Sequence, residues 1–243
     1  MCTIDDGYEV VDDGMMEKMT GVLVVVFCLF LSLSGCGRDD SKSAKRVSSN
    51  FPDSRSATVV LRTEPEPLRS SIVVAAQSQI GKTTIYDPAY VRLTYPMGDV
   101  PMERGVCTDV VIRALRTALN VDLQKLVHED MKLSFSDYPS IWGLRSPDRN
   151  IDHRRVLNLR KYFERQGYSI EVTQEKGDYL PGDIVTCTVG RNLAHIMIVS
   201  DRKDQNGVPL VIHNMGSGTK EEHSLFSFPI TGHYRIMKVV AVK

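Results

Sequence analysis

Cys107 is the residue in this sequence best placed to act as a nucleophile. It follows Gly105 and Val106 and precedes a run in which apolar residues recur at helical spacing, so we expect it in the first turn of a helix. Unpaired backbone N–H groups and the positive end of the helix dipole favour a thiolate there, which predicts a pKa below that of a free thiol. A free cysteine is more often a small buried apolar residue, and that alternative stays open.

Two histidines offer a base for this thiol. His195 opens an otherwise apolar run, Ile196 to Val199, and a buried polar ring there needs a partner. His213 ends the next apolar run, and its ring could bond the second nitrogen of His195 and fix the tautomer that faces the sulfur. A Cys-His-His set of this kind supports nucleophilic catalysis. Either histidine could equally be a structural residue with satisfied hydrogen bonds.

Helical patterns occupy the first part of the folded region. Ser71 is the predicted N-cap of an amphipathic helix that stops at Gly81. Further helices are predicted after Cys107, over 123–133 and over 152–166. Between the last two, residues 136–149 contain prolines and glycines and predict a long surface excursion of the kind that lines a substrate cleft.

Strand patterns occupy the rest of the chain. A hairpin is predicted at Asp204-Gln205-Asn206-Gly207, between the second and third strands. The four expected strands lie within 179–187, 194–201, 208–214 and from 231 toward 242. Helices followed by strands predict the α+β class, with N-terminal helices packed on a small antiparallel sheet.

Composition excludes several classes of function. The 30 basic and 30 acidic residues balance, so no broad positive field attracts nucleic acid. Gly81-Lys82-Thr83 is not a phosphate loop, because Ala76 stands where that motif needs a glycine. The length leaves one domain, which we place at 70–243.

The N-terminal region predicts a lipid anchor. The apolar run from Gly21 is too short to span a bilayer and suits a signal peptide over 15–35. Leu33-Ser34-Gly35-Cys36 resembles the lipobox of bacterial lipoproteins, which implies lipidation of Cys36 and attachment to a membrane of the bacterial cell envelope, facing the periplasm. Residues 1–14 carry acidic residues and no Lys or Arg, so we expect translation to start at Met15 or Met16. Residues 36–69 have the polar composition of a flexible tether.

Several motifs together resemble known families. A cysteine at a helix start, then Pro-Gly-Asp-Ile-Val at 181–185, His-Ile-Met-Ile-Val-Ser-Asp at 195–201 and Val-Ile-His-Asn at 211–214 resemble the NlpC-type branch of papain-like cysteine peptidases. The segments 86–90, 105–109, 147–155 and 230–235 resemble the bacterial family catalogued as domain of unknown function 1287, over roughly residues 72–236.

The resemblance implies a papain-like fold and an activity. It makes Cys107 the nucleophile, His195 the general base and His213, or alternatively Asn214, the residue that orients the base. Tyr95 matches a tyrosine that helps to form the oxyanion site in the NlpC branch. The implied substrate is a peptide or amide bond, most often in cell-wall peptidoglycan, and no cofactor or metal is implied.

Three other interpretations compete with a hydrolase. A disulfide between Cys107 and Cys187 would make the chain a non-catalytic binding lipoprotein of the envelope. A zinc site from Cys107, Cys187, His195 and His213 lacks the close ligand pair that such sites usually show. An acyltransferase would use the same thiol and imidazole. The role of His153, within Asp152-His153-Arg154-Arg155, does not follow from the residues.

Overall fold

The computed structural model describes residues 66–236, so the predictions for the signal peptide, for Cys36 and for most of the tether lie outside the described residues. Four α-helices and eight strands occupy this range. The helices are α1 Glu66–Gln77, α2 Cys107–Leu119, α3 Leu123–Ser134 and α4 Val156–Arg165. The strands are β1 Ile85–Tyr86, β2 Arg104–Gly105, β3 Ser169–Ile170, β4 Ile184–Val189, β5 Leu193–Lys203, β6 Pro209–Asn214, β7 Thr219–Glu222 and β8 Ile230–Tyr234. Short 3₁₀ helices lie at Phe135–Asp137, Asp152–Arg154 and Lys176–Asp178.

Six strands form one antiparallel sheet in the spatial order β3-β8-β4-β5-β6-β7. The predicted hairpin joins β5 to β6, where the Asp204 N–H donates to the Val208 carbonyl over 2.9 Å. The central run Ile196–Val199 is buried on both faces, which explains its unbroken apolar sequence. The mixed α and β class with an antiparallel sheet is therefore confirmed.

The two faces of the sheet carry different clusters. Ile184, Ile196 and Ile198 pack with the helices, including Val110 and Leu115 of α2. Residues that alternate with them form a second cluster with Tyr179 and Leu225; these residues are Val185, Cys187, Met197, Val199 and Val211. Full burial of one valine, leucine or isoleucine side chain contributes about 1.5–3 kcal/mol to stability. The helices thus cover one face, as predicted, and fix where α2 meets the sheet.

The first helix begins earlier than predicted. α1 starts at Glu66, inside the segment assigned to the tether, and Ser71 lies within it rather than at its N-cap. The Ser71 hydroxyl donates to the Leu68 carbonyl over 2.7 Å, a contact along the helix. Pro67 is tolerated because the N–H groups of a first turn have no intrahelical partner.

The predicted helix over 152–166 is interrupted. Asp152–Arg154 forms a 3₁₀ turn, and Arg155 then adopts an extended conformation with φ −102° and ψ 118° before α4 begins. The Asp152 carboxylate accepts the backbone N–H of Asp148, which stabilises this turn against a continuous helix. The break aims residues 153–155 at the cysteine helix.

None of the helices between residues 66 and 236 is both long enough and apolar enough to cross a membrane.

Candidate functional site

Cys107 is the first residue of α2, as predicted. Val106 precedes it in an extended conformation and has no side-chain oxygen with which to cap the helix. The Asp109 carboxylate instead supplies the reciprocal half of a capping box, since its Oδ2 accepts the Val106 N–H over 2.7 Å. The cysteine therefore stands on a helix start that is fixed by a residue two positions away.

A buried ion pair ties this helix start to the rest of the site. Arg154 donates from Nε and Nη2 to the two oxygens of Asp109, each over 2.9 Å, and both side chains are almost fully buried. Arg154 also donates to the carbonyls of Ala89 and Asp87, over 3.2 and 3.3 Å. The Thr108 hydroxyl donates to the Arg154 carbonyl over 3.0 Å. The motif at 152–155 thus joins the cysteine to the 87–89 loop.

The Cys107 sulfur lies at an open edge of β5. Val199 donates its N–H to the Asp183 carbonyl, which lies on the β4 side of β5. Backbone N–H groups point to alternate sides along a strand, so the Ile196 N–H points toward β6. Pairing of β5 with β6 starts only at Ile198, opposite Ile212, so β6 does not occupy this N–H. The Ile196 N–H instead bonds to the Cys107 sulfur, which favours the thiolate form.

The thiol is not activated at rest. Burial raises the pKa of Cys107 to about 12, although the N–H groups of Ile196 and Thr108 act in the opposite direction and the Asp109 charge adds to the rise. The predicted fall in pKa is therefore wrong, because removing the sulfur from water outweighs the favourable field of the helix start. The resting side chain is a neutral thiol.

The two predicted histidines form a pair. His195 Nε2 lies 2.8 Å from His213 Nδ1, and both rings are buried. His213 Nε2 lies 3.4 Å from Oε2 of Glu222 on β7. Burial, together with the neighbouring His213, lowers the pKa of His195 to about 3, and burial also lowers that of His213, against the influence of Glu222. Both rings are neutral at pH 7.

The sulfur and the histidine pair border the same gap between β5 and β6, from opposite faces. His195 alternates with Ala194 and Ile196, which pack on the helix face, and so leaves the strand on the other face with Met197. Across the gap, Asn214 of β6 donates to the Gly105 carbonyl over 2.9 Å. Within residues 66–236 no hydrogen bond joins the thiol to either imidazole, and His195 Nδ1 has no hydrogen-bond partner there.

A cavity of about 310 Å³ opens at Cys107. Ile141 and Trp142 form part of its wall, so the excursion predicted over 136–149 does line a cleft. The Arg155 guanidinium lies over the Trp142 ring at 4.4 Å, a cation–π contact that orients both side chains. The remaining lining residues are Tyr86, Pro88, Val106, Ile151, Arg154, Val156, Leu157, Asn192, Leu193 and Ala194.

The structure does not bring Tyr95 to this cavity. Its ring packs edge-on against His128, with ring centres 5.3 Å apart, and Arg149 lies 5.5 Å from its ring centre. Tyr86 is the tyrosine that lines the cavity, because β1 pairs with β2 and sets Tyr86 opposite Gly105. Burial and the nearby Cys107 raise the pKa of Tyr86, so it stays a hydroxyl donor. Tyr86 lies in the segment 86–90 that carries part of the family resemblance, but nothing in the spacing of that segment indicated that Tyr86 is a site residue.

The structure gives no support to a disulfide between Cys107 and Cys187. Both are free thiols, and they belong to the clusters on opposite faces of the sheet. Within the described residues no group of three or more His, Cys, Asp or Glu side chains is arranged to hold a metal ion. Glu222 was missed by sequence reasoning because the polar strand β7 carries no apolar pattern.

Comparison with known proteins shows similarity to a family and to a bacterial protein. The sequence model of the family described as "Domain of unknown function (DUF1287)" matches residues 73–236. The chain is also 56% identical, over 165 residues, to "Uncharacterized protein YijF" of Escherichia coli (strain K12). That match covers 68% of this chain and 80% of the relative.

Proposed function

The chain belongs to the DUF1287 family, whose function is unknown, and from that premise we propose that it is a papain-like thiol hydrolase of the NlpC type that cuts a peptide or amide bond. One observation carries the proposal. The Cys107 thiol, at the start of α2, lines a cavity. It also lies beside the gap between β5 and β6, which the hydrogen-bonded His195 and His213 border. The nucleophile stands on one face of the gap between β5 and β6 and the bonded imidazoles on the other, so the proposed mechanism requires the thiol proton to cross this gap.

The hydrogen bonds define the direction of proton movement. His195 Nε2 is committed to His213, so Nδ1 is the atom left to take the Cys107 proton. In that tautomer His195 Nε2–H donates to His213 Nδ1, and His213 carries its own proton on Nε2, toward Glu222. The Glu222 charge favours a proton on His213 Nε2, and His213 orients the base.

The chemistry follows in two steps. As the proton passes to His195 Nδ1, the sulfur attacks the substrate carbonyl carbon and its oxygen becomes an oxyanion. His195 returns the proton to the leaving amine, the C–N bond breaks and a thioester remains on Cys107. Water then gives a proton to His195 and attacks the thioester, and the returning proton restores the thiol as the acid leaves. Because the resting thiol and imidazole are both neutral, proton transfer and attack are coupled.

Two groups suit the oxyanion. The Ile196 N–H points into the open edge of β5 beside the sulfur, and the Tyr86 hydroxyl lines the same cavity. Both are neutral donors. The Ile196 N–H is buried whereas Tyr86 is 39% exposed, so the backbone donor is the better shielded from water and should stabilise a developing charge more strongly. We assign to Tyr86 the role that the resemblance to the NlpC branch implied for Tyr95.

The proposed substrate is the peptide portion of peptidoglycan. The lipobox at Cys36 would attach the mature chain to the envelope membrane, where this polymer is within reach. Cys36→Ser should abolish incorporation of labelled fatty acid and firm membrane attachment while leaving the domain's chemistry unchanged. A mature chain that starts at another residue would contradict the anchor.

The activity is tested with purified chain and isolated peptidoglycan, with released fragments identified by mass. We expect the parent and Cys187→Ala to release peptides, and Cys107→Ala to release none while keeping the circular dichroism of the parent. Cys187→Ala is the matched control, because it removes the other free thiol on the opposite face. Equal release by Cys107→Ala would exclude the nucleophile. Products joined to an added amine, rather than to water, would instead identify an acyltransferase.

A further inference from the structure

A second cavity, of about 760 Å³, lies beside the one at Cys107. The two cavities use the same two chain segments: Pro88 and Ile151 line the first, and Tyr90 and Asn150 line the second. Three arginines stand around the second cavity, and we call it the arginine pocket. They are Arg92, Arg145 and Arg149.

The positive charge of this pocket is not neutralised. Within residues 66–236 the guanidinium groups of Arg92, Arg145 and Arg149 make no hydrogen bond and no ion pair. Arg149 lies 5.5 Å from the ring centre of Tyr95, a contact that orients the group and leaves its N–H donors available.

One carboxylate does lie in the pocket wall, and its oxygens are used by neutral donors. Asp148 Oδ2 accepts the Tyr90 hydroxyl over 3.0 Å. Asp148 Oδ1 accepts the backbone N–H and the side-chain amide of Asn150, each over 2.9 Å. The wall therefore keeps an excess of positive charge from three guanidinium groups against one carboxylate.

The backbone that carries Arg92 and Arg149 is fixed. Leu93 donates its N–H to the Asn150 side-chain oxygen over 3.0 Å, and the Asn150 amide donates to the Tyr90 hydroxyl over 2.9 Å. Gln124 of α3 donates to the Arg149 carbonyl over 3.1 Å. Because the segments at 90–93 and 148–150 are joined in this way, a ligand would not have to order them on binding.

A nitrogen in the pocket wall lacks a partner. His128 lines the pocket, and its Nδ1 is enclosed without a hydrogen-bond partner. Such an atom costs free energy while it is unpaired, so a turn of the ring that brought Nδ1 to a ligand oxygen would remove that cost.

We propose that the arginine pocket binds a doubly charged oxygen anion, either a phosphate group or a pair of carboxylates. Guanidinium groups present forked N–H donors that match the oxygens of both. We further infer that this anion is part of the substrate cut at Cys107, since the two cavities adjoin; this second statement rests on the proposed function. The anion site itself does not.

The test is direct binding, measured by calorimetry at constant ionic strength, of inorganic phosphate and of glutarate to the full chain and to its Cys107→Ala variant. We expect at least one anion to bind, and Arg145→Gln and Arg149→Gln each to weaken binding about ten-fold, as expected for loss of a charged hydrogen bond. Lys203→Gln, an exposed cation at the far end of β5, is the matched control and should change binding less than about two-fold. A preference for phosphate would indicate a phosphate ester, and one for glutarate a carboxylate-bearing substrate.

Two results would overturn the site: no binding of either anion, or equal weakening by Lys203→Gln, which would indicate a general field rather than a pocket. If an arginine variant fails to fold, the His128 ring signal of the parent in an NMR titration with phosphate gives the answer, and an unshifted signal counts against the site. Because binding is also measured in Cys107→Ala, absence of hydrolysis and absence of the anion site are distinguishable.

Discussion

His195 Nε2 and His213 Nδ1 lie 2.8 Å apart, and a single proton occupies the space between them. The tautomers of the two rings are therefore linked. When the proton belongs to His195, its Nδ1 is a base and His213 must carry a proton on Nε2, toward Glu222. When it belongs to His213, His195 Nδ1 is protonated and cannot accept the thiol proton. In the proposed mechanism, the pair can work as a base in only one of its two neutral forms.

Substitutions should separate the base from the residue that orients it. We expect His195→Ala to lower kcat/KM by about 10³-fold, within the range for loss of a general base. His213→Gln keeps an oxygen that accepts the His195 N–H and should retain more activity than His213→Leu, which offers none. His223→Gln, at an exposed histidine, is the control. Full activity in His213→Leu would contradict the orienting role.

The loss of activity at acid pH should occur at a lower pH than for an ordinary histidine base. His195 acts only when neutral, and burial lowers its pKa to about 3, so the ring stays neutral as the pH falls through the usual histidine value of 6.5. We expect kcat/KM to be retained at pH values well below 6.5 and to fall only near or below the shifted pKa. Circular dichroism at each pH controls for unfolding. A fall in activity centred at 6.5, with the fold intact, would show that His195 is not the titrating base.

Stability should depend on pH through His153. Its ring is buried, its Nδ1 has no partner, and burial lowers its pKa to about 4. The folded form is therefore neutral while the unfolded form takes up a proton below about 6.5, so stability is complete above that pH and declines as the pH falls toward 4. Between pH 7 and pH 5 this one group should reduce the free energy of unfolding by on the order of 2 kcal/mol.

Urea unfolding at the two pH values measures this effect. The decrease should be smaller in His153→Leu than in the parent, whereas His223→Leu, at an exposed histidine, should match the parent. Equal decreases in the parent and in His153→Leu would show that the group does not titrate on unfolding.

The Asp109–Arg154 pair should be far more important than a surface pair. Arg154→Met leaves the Asp109 carboxylate buried and without its cation, which typically costs about 3–5 kcal/mol. Arg202→Met, which breaks a pair whose arginine is 68% exposed, should cost less than about 1 kcal/mol. Chemical denaturation compares the two variants. A similar small loss in both would mean that the buried pair does not hold the cysteine loop.

Features of the fold that depend on residues close together in the sequence could be predicted, whereas features that depend on residues far apart in the sequence could not. The start of α2 at Cys107 and the strands around His195 and His213 follow from local periodicity, and the structure has them there. The partnership of Glu222 with His213 depends on how β7 registers against β6, which no local pattern specifies.

The two errors at the site have one cause. The cysteine pKa was predicted from the helix start alone, whereas the packing around α2 removes the sulfur from water and reverses the shift. Tyr95 was carried over from the resemblance to the NlpC branch, whereas the parallel pairing of β1 with β2 brings Tyr86 to the cavity instead. Both depend on tertiary contacts that are absent from the chain read residue by residue.

The two described cysteines differ in their surroundings, so thiol labelling can measure the fraction of molecules whose Cys107 is accessible. Cys187 is wholly enclosed between sheet and loops, whereas Cys107 borders an open cavity. A small uncharged alkylating reagent applied under native conditions should therefore label Cys107 before Cys187, at a rate slowed by the raised pKa of the Cys107 thiol, and the label taken up per mole would titrate the fraction of molecules with an accessible sulfur. Denaturation would expose the second thiol, so the same reagent would also report when the sheet comes apart.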